Sequence, residues 1–250
     1  MTKSMTGVIA RTPRTWHGRA VPRLSRLAVL PALVIAAPAW AQQEDTQVWE
    51  QLNLVVPVAP KVRLTLEEVA RISDRQSGLY TTEFGGLVGW RVGTGIELGV
   101  GYRHVGYYNG NRSPDEDRLR QQIVLTRGRV AGRLRIDERF VAGGGEVGFR
   151  IRPLLRYNLP IAGTRLSLFA SHESFILANS TRWGQRAGYE RMRNVVGLSF
   201  PLLGKGVTAD VGYLNQYRPG RGGARGQMDH ALNVQVTINL GALGVAGLHD

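Results

Sequence analysis

Long stretches of this sequence alternate between apolar and polar residues, and a period of two residues predicts β-strands. In the clearest stretch, 230–240, Leu232 and Val234 share one face while Asn233 and Gln235 share the other. No segment after residue 42 keeps a helical period for three turns. About eleven alternating segments are present, at 47–56, 62–72, 80–91, 96–105, 118–128, 130–141, 147–158, 164–176, 187–200, 206–217 and 230–240. The sequence therefore predicts an all-β protein.

The length of these segments favours a membrane barrel. Most are longer than the roughly 5–6 residues usual in soluble strands, and they suit a tilted membrane strand of about 9–11 residues. Short connections alternate with longer polar ones such as 109–117 and 218–227, as in up-and-down barrels with short periplasmic turns and long external loops. Aromatic residues near segment ends are typical of interfacial girdles; they are Trp49, Trp90, Tyr107, Tyr108, Tyr157, Tyr189, Tyr213 and Tyr217.

We therefore predict an antiparallel up-and-down transmembrane β-barrel over about 47–240. Bacterial single-chain barrels have an even number of strands, and a count of eleven is odd. We expect 12 strands, with 10 as the alternative.

The N-terminus has the pattern of a secretory signal peptide. A basic region, 1–26, precedes an apolar run from Leu27 to Ala37, and the small-residue site Ala39-Trp40-Ala41 follows. This order predicts a signal peptide over 1–41 and a barrel domain over 42–250. Whether the chain starts at Met1 or Met5 stays open. Export of such a barrel leads to the outer membrane.

Composition excludes several classes of protein. The formal net charge is +13, but six basic residues and no acidic ones lie in 1–41, so about half of the excess belongs to the predicted signal peptide and no nucleic-acid partner is expected. The chain has no cysteine, which excludes thiol catalysis, thiolate metal sites and disulfides. No stretch approaches the roughly 20 apolar residues of a membrane helix, which excludes a helical transporter.

Charged residues gather on the polar faces of the predicted strands. Buried charges persist when they are paired and hydrogen bonded, so we expect a charge network in the barrel interior. Its predicted members are Arg63, Glu67, Arg71, Glu97, Arg103, Arg133, Arg135, Asp137, Arg139, Arg150, Arg152, Arg156 and Glu173, and Arg118 and Arg120 fall on similar faces. The network has three interpretations: it holds the barrel together, it lines a cationic lumen that selects anionic solutes, or it forms a ligand-binding pocket.

Nine segments along the chain form a pattern of their own: the strand that opens at Trp49, Glu67 with Arg71, Tyr102-Arg103, Arg133–Phe140, Arg152–Arg156, Glu173 with Phe175, Asn194–Leu198, Gly212-Tyr213 and the strand that opens at His230. Together they resemble a family of bacterial outer-membrane proteins known as domain of unknown function 2490 (DUF2490). The resemblance covers most of 47–240 and implies an outer-membrane β-barrel, without a reaction. This chain continues past Leu240 to Asp250, whereas many outer-membrane barrels end on an aromatic residue.

A possible hydrolase site lies in the eighth segment. The spacing of His172 and Ser174 places both on one strand face, about 7 Å apart, and Glu190 supplies a carboxylate. The pair resembles that of the lipid A deacylase barrels, but the rest of their motif is missing because Phe175 and Ile176 follow. An ordinary strand with polar residues near the interface is the other interpretation.

The remaining signals predict no cofactor and no metal site. His104, His172 and His230 lie on separate strands, and Gly143–Gly145 is a tight turn with no helix after it. The basic loop with Arg218, Arg221 and Arg225 either contacts lipopolysaccharide phosphates or is simply solvated.

Three functions remain open. The first is a monomeric, non-enzymatic outer-membrane barrel, either structural or a narrow pore with an Arg/Glu-lined interior. The second is an outer-membrane lipid hydrolase, and the third is a soluble periplasmic barrel that binds an apolar ligand. The expected partners of the first are outer-membrane lipid, lipopolysaccharide and the barrel-assembly machinery.

Overall fold

The computed structural model describes residues 43–110 and 113–243. Its strands are β1 (Gln43–Ala59), β2 (Val62–Ser73), β3 (Gly78–Gly93), β4 (Ile96–Tyr107), β5 (Glu116–Arg127), β6 (Val130–Val141), β7 (Val147–Pro160), β8 (Ser167–Leu177), β9 (Gly188–Leu203), β10 (Val207–Arg218) and β11 (Gln227–Asn239). A 3-10 turn, Gly241–Leu243, follows β11. The predicted signal peptide, 1–41, lies outside the described residues. Among those described, no helix is long and apolar enough to cross a membrane.

The strands form one closed barrel, which confirms the predicted all-β barrel fold. Each strand pairs with its neighbours in the sequence, and β1 pairs with β11 to close the ring. The barrel has eleven strands rather than the expected 12 or the alternative 10. The parity argument fails because β1 and β11 run parallel. A ring in which every pair is antiparallel needs an even number of strands, whereas one parallel pair allows an odd number.

The parallel seam between β1 and β11 is long and regular. It runs without a register shift from Gln43↔Gln227 to Val55↔Asn239. In this register even-numbered residues of β1 pair with even-numbered residues of β11. Leu52 and Val236 therefore both face outward, and Asn53 and Thr237 both face inward. The amide of Asn53 donates to the hydroxyl of Thr237 at 3.3 Å, inside the barrel.

Connections of two kinds define the two ends of the barrel. At the end that we call the turn end, the connections are 60–61, 94–95, 128–129, 161–166 and 204–206. At the other, the loop end, they are 74–77, 108–115, 142–146, 178–187 and 219–226. Since the strand number is odd, β1 starts at the loop end and β11 finishes at the turn end.

The pleat of each strand sends apolar side chains outward and charged side chains inward. Phe84, Val100 and Leu155 on the outer face are 63%, 58% and 57% exposed, whereas Arg120 and Asp137 on the inner face are 0% exposed. Soluble proteins show the opposite distribution, because burial of apolar surface normally drives their folding. The distribution of side chains is therefore inverted, with an apolar exterior and an ionic interior.

Two aromatic residues predicted for the interfacial girdles face the interior instead. One is Tyr107, whose hydroxyl lies 3.5 Å from the buried carboxylate of Glu116. The other, Trp49, faces inward and is 4% exposed. It packs with Leu214 and Ala231 in a small apolar cluster, and the guanidinium groups of Arg71 and Arg193 lie 4.2 and 4.4 Å from its ring centroid. Alternation along β1 explains the position of Trp49, because Trp49 shares its face with the inward residues of that strand rather than with the outward ones.

Paired cysteines test the parallel seam, since the natural chain has no cysteine. Val48 and Leu232 are register partners on the outer face, and neighbouring strands lie about 4.8 Å apart, within disulfide range. We expect the variant with Val48→Cys and Leu232→Cys to cross-link on oxidation, as read from the shift of the barrel on a reducing versus a non-reducing gel.

The control pairs Glu44→Cys with Ile238→Cys, ten residues beyond Met228, the register partner of Glu44, and about 33 Å away. An antiparallel seam over the same residues would bring this second pair together instead. Efficient cross-linking of the control with none in the first variant would contradict the parallel closure.

Candidate functional site in the barrel interior

The thirteen residues predicted for the charge network all lie on the inner wall. Twelve of them take part in ion pairs with N–O distances up to 4.0 Å. Arg135 instead donates two hydrogen bonds to the amide oxygen of Gln122, at 2.9 and 2.7 Å. The contacts run between strands, so the side chains cross-link the wall from inside.

The first cluster of ion pairs joins β2 to β5. The carboxylate of Glu67 pairs with the guanidinium groups of Arg103 and Arg120, at N–O distances of 2.8 and 2.5 Å. The carboxylate of Glu83 pairs with those of Arg71 and Arg103, at 2.6 and 2.5 Å. Arg103 therefore bridges two buried carboxylates through its two terminal nitrogens, a geometry that suits the planar guanidinium.

A glycine allows this cluster to pack against the wall. Gly85 on β3 is the register partner of Arg103 on β4, and a Cβ at Gly85 would lie 2.2 Å from the carbonyl oxygen of Tyr102. The two strands are therefore too close for a side chain at position 85. Arg120 approaches the backbone here, and its Nη2 donates to the carbonyl oxygens of Gly86 and Tyr102 at 3.3 and 3.4 Å.

The second cluster repeats the same arrangement on β6 to β8. The carboxylate of Asp137 accepts from Arg150 and Arg152, at 2.7 and 3.2 Å. That of Glu173 accepts from Arg133 and Arg152, at 2.6 and 3.0 Å. Arg152 therefore bridges Asp137 and Glu173 as Arg103 bridges the acids of the first cluster.

Two acidic residues that the sequence analysis left out, Glu83 and Glu116, extend the first cluster to β6. Glu116 accepts hydrogen bonds from Arg118 and Arg139, at 2.5 and 2.7 Å, and Arg118 lies 3.5 Å from Glu83. Glu83 lies in a strand whose many glycines blur the alternation, and Glu116 is adjacent to a polar loop. Counting inward positions from the neighbouring strand would have found both.

Aromatic rings hold cations that carboxylates do not fully neutralise. The buried ring of Phe175 has four guanidinium carbons within 5.6 Å of its centroid; they belong to Arg150, Arg152, Arg191 and Arg193. The negative face of an aromatic ring attracts such cations. Phe175 therefore helps to keep a crowded group of arginines inside the barrel.

The clusters surround a chamber of about 470 Å³. Its lining runs from Arg75 and Ser113 at the loop end to Gln51 and Asp210 in the half nearer the turn end. Thirteen arginines and six acidic residues line it. Among the described residues, the Arg63–Glu97 pair at the turn end is not part of this lining.

Two lining arginines have no carboxylate partner within 4.0 Å among residues 43–110 and 113–243. They are Arg135, bound to Gln122, and Arg218 on β10, whose Nε is buried without a hydrogen-bond partner. Buried donors normally find a partner. The interior therefore has spare cationic donors that suit an anion.

One loop at the loop end contributes to the interior. Gln185, from the loop 178–187, is buried and accepts a hydrogen bond from Arg139 at 2.8 Å. In the same loop the backbone N–H and Nε of Arg182 donate to the carboxylate of Glu146, each at 2.6 Å. These hydrogen bonds hold the pKa of Glu146 below its usual value, the backbone N–H contributing most.

The structure separates the three residues of the predicted hydrolase site. His172 and Ser174 lie together on the outer face of β8. Glu190 is on the inner side, where its carboxylate pairs with Arg191, because the β8–β9 register shifts between Phe175 and Ile176. Glu190 is therefore not the group that orients His172.

The three arginines of the predicted basic loop do not form one patch. Arg218 lines the chamber, and Arg221 donates to the backbone carbonyl oxygens of Arg186, at 2.8 Å, and of Tyr189. Arg225 is exposed. The loop therefore offers separate guanidinium groups rather than a joint phosphate site.

A family model described as "Protein of unknown function (DUF2490)" matches residues 46–227. The chain belongs to the DUF2490 family. This confirms the resemblance seen in the sequence. The matched range begins within β1, ends at the first residue of β11 and includes the whole predicted charge network.

The chain is also similar to an uncharacterized protein of Methylorubrum extorquens. The two are 34% identical over 230 residues, which cover 86% of this chain and 98% of the relative. Neither the family's description nor the relative's name states an activity. The function of this DUF2490 chain therefore has to be argued from its geometry.

Removal of one carboxylate tests whether the network stabilises the barrel. In Glu173→Gln, the guanidinium groups of Arg133 and Arg152 lose a buried counter-charge. We expect the free energy of unfolding to fall by about 3–5 kcal/mol, the usual cost of breaking a buried pair, as measured by urea titration of the detergent-solubilised barrel.

The control is Glu44→Gln, at an exposed position on β1, which should change the free energy of unfolding by less than about 0.5 kcal/mol. Equal free energies of unfolding in the two variants would show that the network does not stabilise the barrel.

Proposed function

We propose that this DUF2490 protein is an outer-membrane β-barrel whose arginine-lined chamber binds small anionic solutes that enter from the loop end. The observation that carries the proposal is the inverted distribution of side chains, with an apolar exterior around an ionic interior. The membrane location and the anion site are separate parts of the proposal, and each has its own test.

The exterior supports the membrane location. Outward residues such as Leu134 and Leu232, 46% and 51% exposed, form part of a continuous apolar surface that would aggregate in water. Outer-membrane barrels carry such a band with aromatic girdles, and Trp90, Tyr157 and Tyr213 are exposed on this surface. A soluble barrel for an apolar ligand would need the apolar residues inside.

Strand length supports the same location. A strand of 12 residues, as in β4, β5 and β6, is about 40 Å long at 3.3 Å per residue. At the tilt of about 35–45° found in outer-membrane barrels, it spans about 30 Å of membrane, which matches the hydrocarbon core. The signal-peptide pattern of the sequence agrees with export.

The excess of arginine supports anion binding. Thirteen arginines against six acidic residues make the chamber lining cationic, and walls of low dielectric strengthen the potential inside. Guanidinium groups bind carboxylate and phosphate oxygens with fork geometry. Because Arg135 and Arg218 lack carboxylate partners among the described residues, we assign them as the main anion contacts.

Cell fractionation tests the location. We expect the full-length chain, processed during export, to sediment with the outer membrane and to migrate differently on a gel before and after heating, as folded barrels do. Recovery of the folded chain in the detergent-free periplasmic fraction would contradict the proposal and favour the soluble ligand-binding barrel.

Titration with inorganic phosphate tests the chamber. We expect Arg218→Gln to weaken phosphate binding to the detergent-solubilised barrel about tenfold, the loss of one charge-assisted contact, as measured by isothermal titration calorimetry. Arg127→Gln, at an exposed position at the turn end of β5, is the control and should bind like the natural chain. Absence of phosphate binding, or equal affinities of both variants, would contradict an anion site.

A further inference from the structure

A second group of polar residues lies on the outer face of the barrel, on β8 and β9. Inward Glu173 separates His172 from Ser174 along β8, so the pleat turns these two side chains outward together. Asn194 on β9 is the register partner of His172. The three side chains therefore meet on the apolar exterior, away from the charge network.

Their hydrogen bonds connect them in a single chain. Nδ1 of His172 lies 2.7 Å from the amide oxygen of Asn194, and Nε2 lies 3.0 Å from Oγ of Ser174. Because an amide oxygen only accepts, Nδ1 carries the proton and donates it to Asn194. Nε2 is then unprotonated and accepts the hydrogen bond of the Ser174 hydroxyl, which is the tautomer a general base needs.

The neighbours of this group are apolar and exposed. Leu155, the register partner of His172 on β7, is 57% exposed, and Val196, two residues after Asn194, is 54% exposed. Met192 is the register partner of Ser174 on β9. A hydroxyl-imidazole-amide group surrounded by apolar side chains is reached most easily by a substrate that is itself apolar.

The position of Ser174 along the barrel axis also suits a substrate with a lipid ester bond. Ser174 lies three residues before the loop-end terminus of β8, Leu177, and its Oγ is 3.4 Å from the hydroxyl of Tyr189. Exposed tyrosines mark the boundary between hydrocarbon and head groups. The acyl ester bonds of membrane lipids lie at that boundary.

The other outer-face histidines lack this arrangement. Nδ1 of His104 lies 2.8 Å from Asp117 and Nε2 lies 3.9 Å from Asp115, both carboxylates. Nδ1 of His230 bonds the hydroxyl of Tyr213 at 2.5 Å. In the described part of the chain, His172 alone has an amide on one ring nitrogen and a serine hydroxyl on the other. The same part holds no group of three or more acidic or histidine residues fit for a metal.

We propose that Ser174, His172 and Asn194 form the catalytic site of an esterase that cleaves acyl esters of membrane lipids. The proposal rests on the membrane location proposed above. Ser174 is the nucleophile, His172 is the general base and acid, and Asn194 is a positioning residue that fixes the tautomer and the ring orientation of His172.

The reaction proceeds in two steps. Oγ of Ser174 bonds to the ester carbonyl carbon while its proton moves to Nε2 of His172; the C–O bond to the alcohol then breaks, and the leaving oxygen takes that proton. Water next attacks the acyl-serine carbonyl carbon and gives a proton to Nε2. The bond to Oγ breaks, the proton returns to Oγ, and a free fatty acid leaves. No oxidant or cofactor is required.

Hydrolysis and covalent labelling test the proposal on the full-length folded barrel in mixed micelles. We expect release of fatty acid, and modification of Ser174 by a fluorophosphonate, located by mass spectrometry. Ser174→Ala and His172→Ala should each lower the rate about 10³-fold or more. The controls are Ser171→Ala, on the inner face of the same strand, and His104→Ala, which should both keep the natural rate.

Asn194 has a test of its own. Asn194→Ala should lower the rate about 10–100-fold, and Asn194→Asp should restore most of it with an altered pH profile, because a carboxylate also accepts from Nδ1 and stabilises the imidazolium. A merely structural role would not give this rescue. Glycerophospholipid and lipopolysaccharide micelles, assayed in parallel, distinguish the two sources of acyl ester.

Two results would overturn the esterase assignment. One is a folded, membrane-located barrel that neither hydrolyses either lipid nor reacts with the fluorophosphonate, and the other is full activity in Ser174→Ala. Failure of the membrane location itself appears separately, in the cell fractionation.

Discussion

A charge inside a protein must have an opposite charge or a hydrogen-bond partner close by, because water no longer solvates it. This requirement governs the whole barrel. Arg103 and Arg152 each satisfy two carboxylates, so each ties together strands that backbone hydrogen bonds alone would not connect. The interior is held by ion pairs where a soluble protein of this size would have an apolar core, and the apolar residues are left for the exterior.

The two faces of β8 show how this arrangement also serves chemistry. Glu173 points inward and is fixed by Arg133 and Arg152, while its sequence neighbours His172 and Ser174 point outward. The backbone between the two faces is therefore anchored from inside. A catalytic group needs support of this kind, because small errors in geometry reduce the rate strongly. The same pleat that fills the interior positions the proposed nucleophile and its base.

Much of the fold could be predicted from the sequence, because a period of two fixes both the strands and their faces. The eleven alternating segments correspond to the eleven strands, and the arginines on the polar faces lie inside. The expectation of 12 strands is wrong because the general rule of an even strand number does not hold for a ring with one parallel pair. The expectation for Trp49 and Tyr107 is wrong because nearness to a segment end says less about a side chain than the face that it shares along its strand.

The partner of His172 could not be read from the sequence in the same way. Alternation shows that His172 and Ser174 share a face, but the residue opposite them depends on the register between β8 and β9, and a bulge shifts that register near Phe175. Glu190 has a suitable carboxylate but lies on the other face, whereas Asn194 lies opposite His172. Cross-strand register is set by turns and bulges, which short sequence patterns specify weakly.

The parallel seam has a topological consequence. If β1 is set aside, β2 and β11 run in opposite directions, and the remaining ten strands alternate around the ring. β1 is therefore one extra strand in a barrel that would otherwise have an even number of strands, all antiparallel. Gain or loss of a hairpin by this scaffold would preserve the parallel pair, whereas gain or loss of one strand would abolish it, so the presence of that pair follows from the odd number of strands alone.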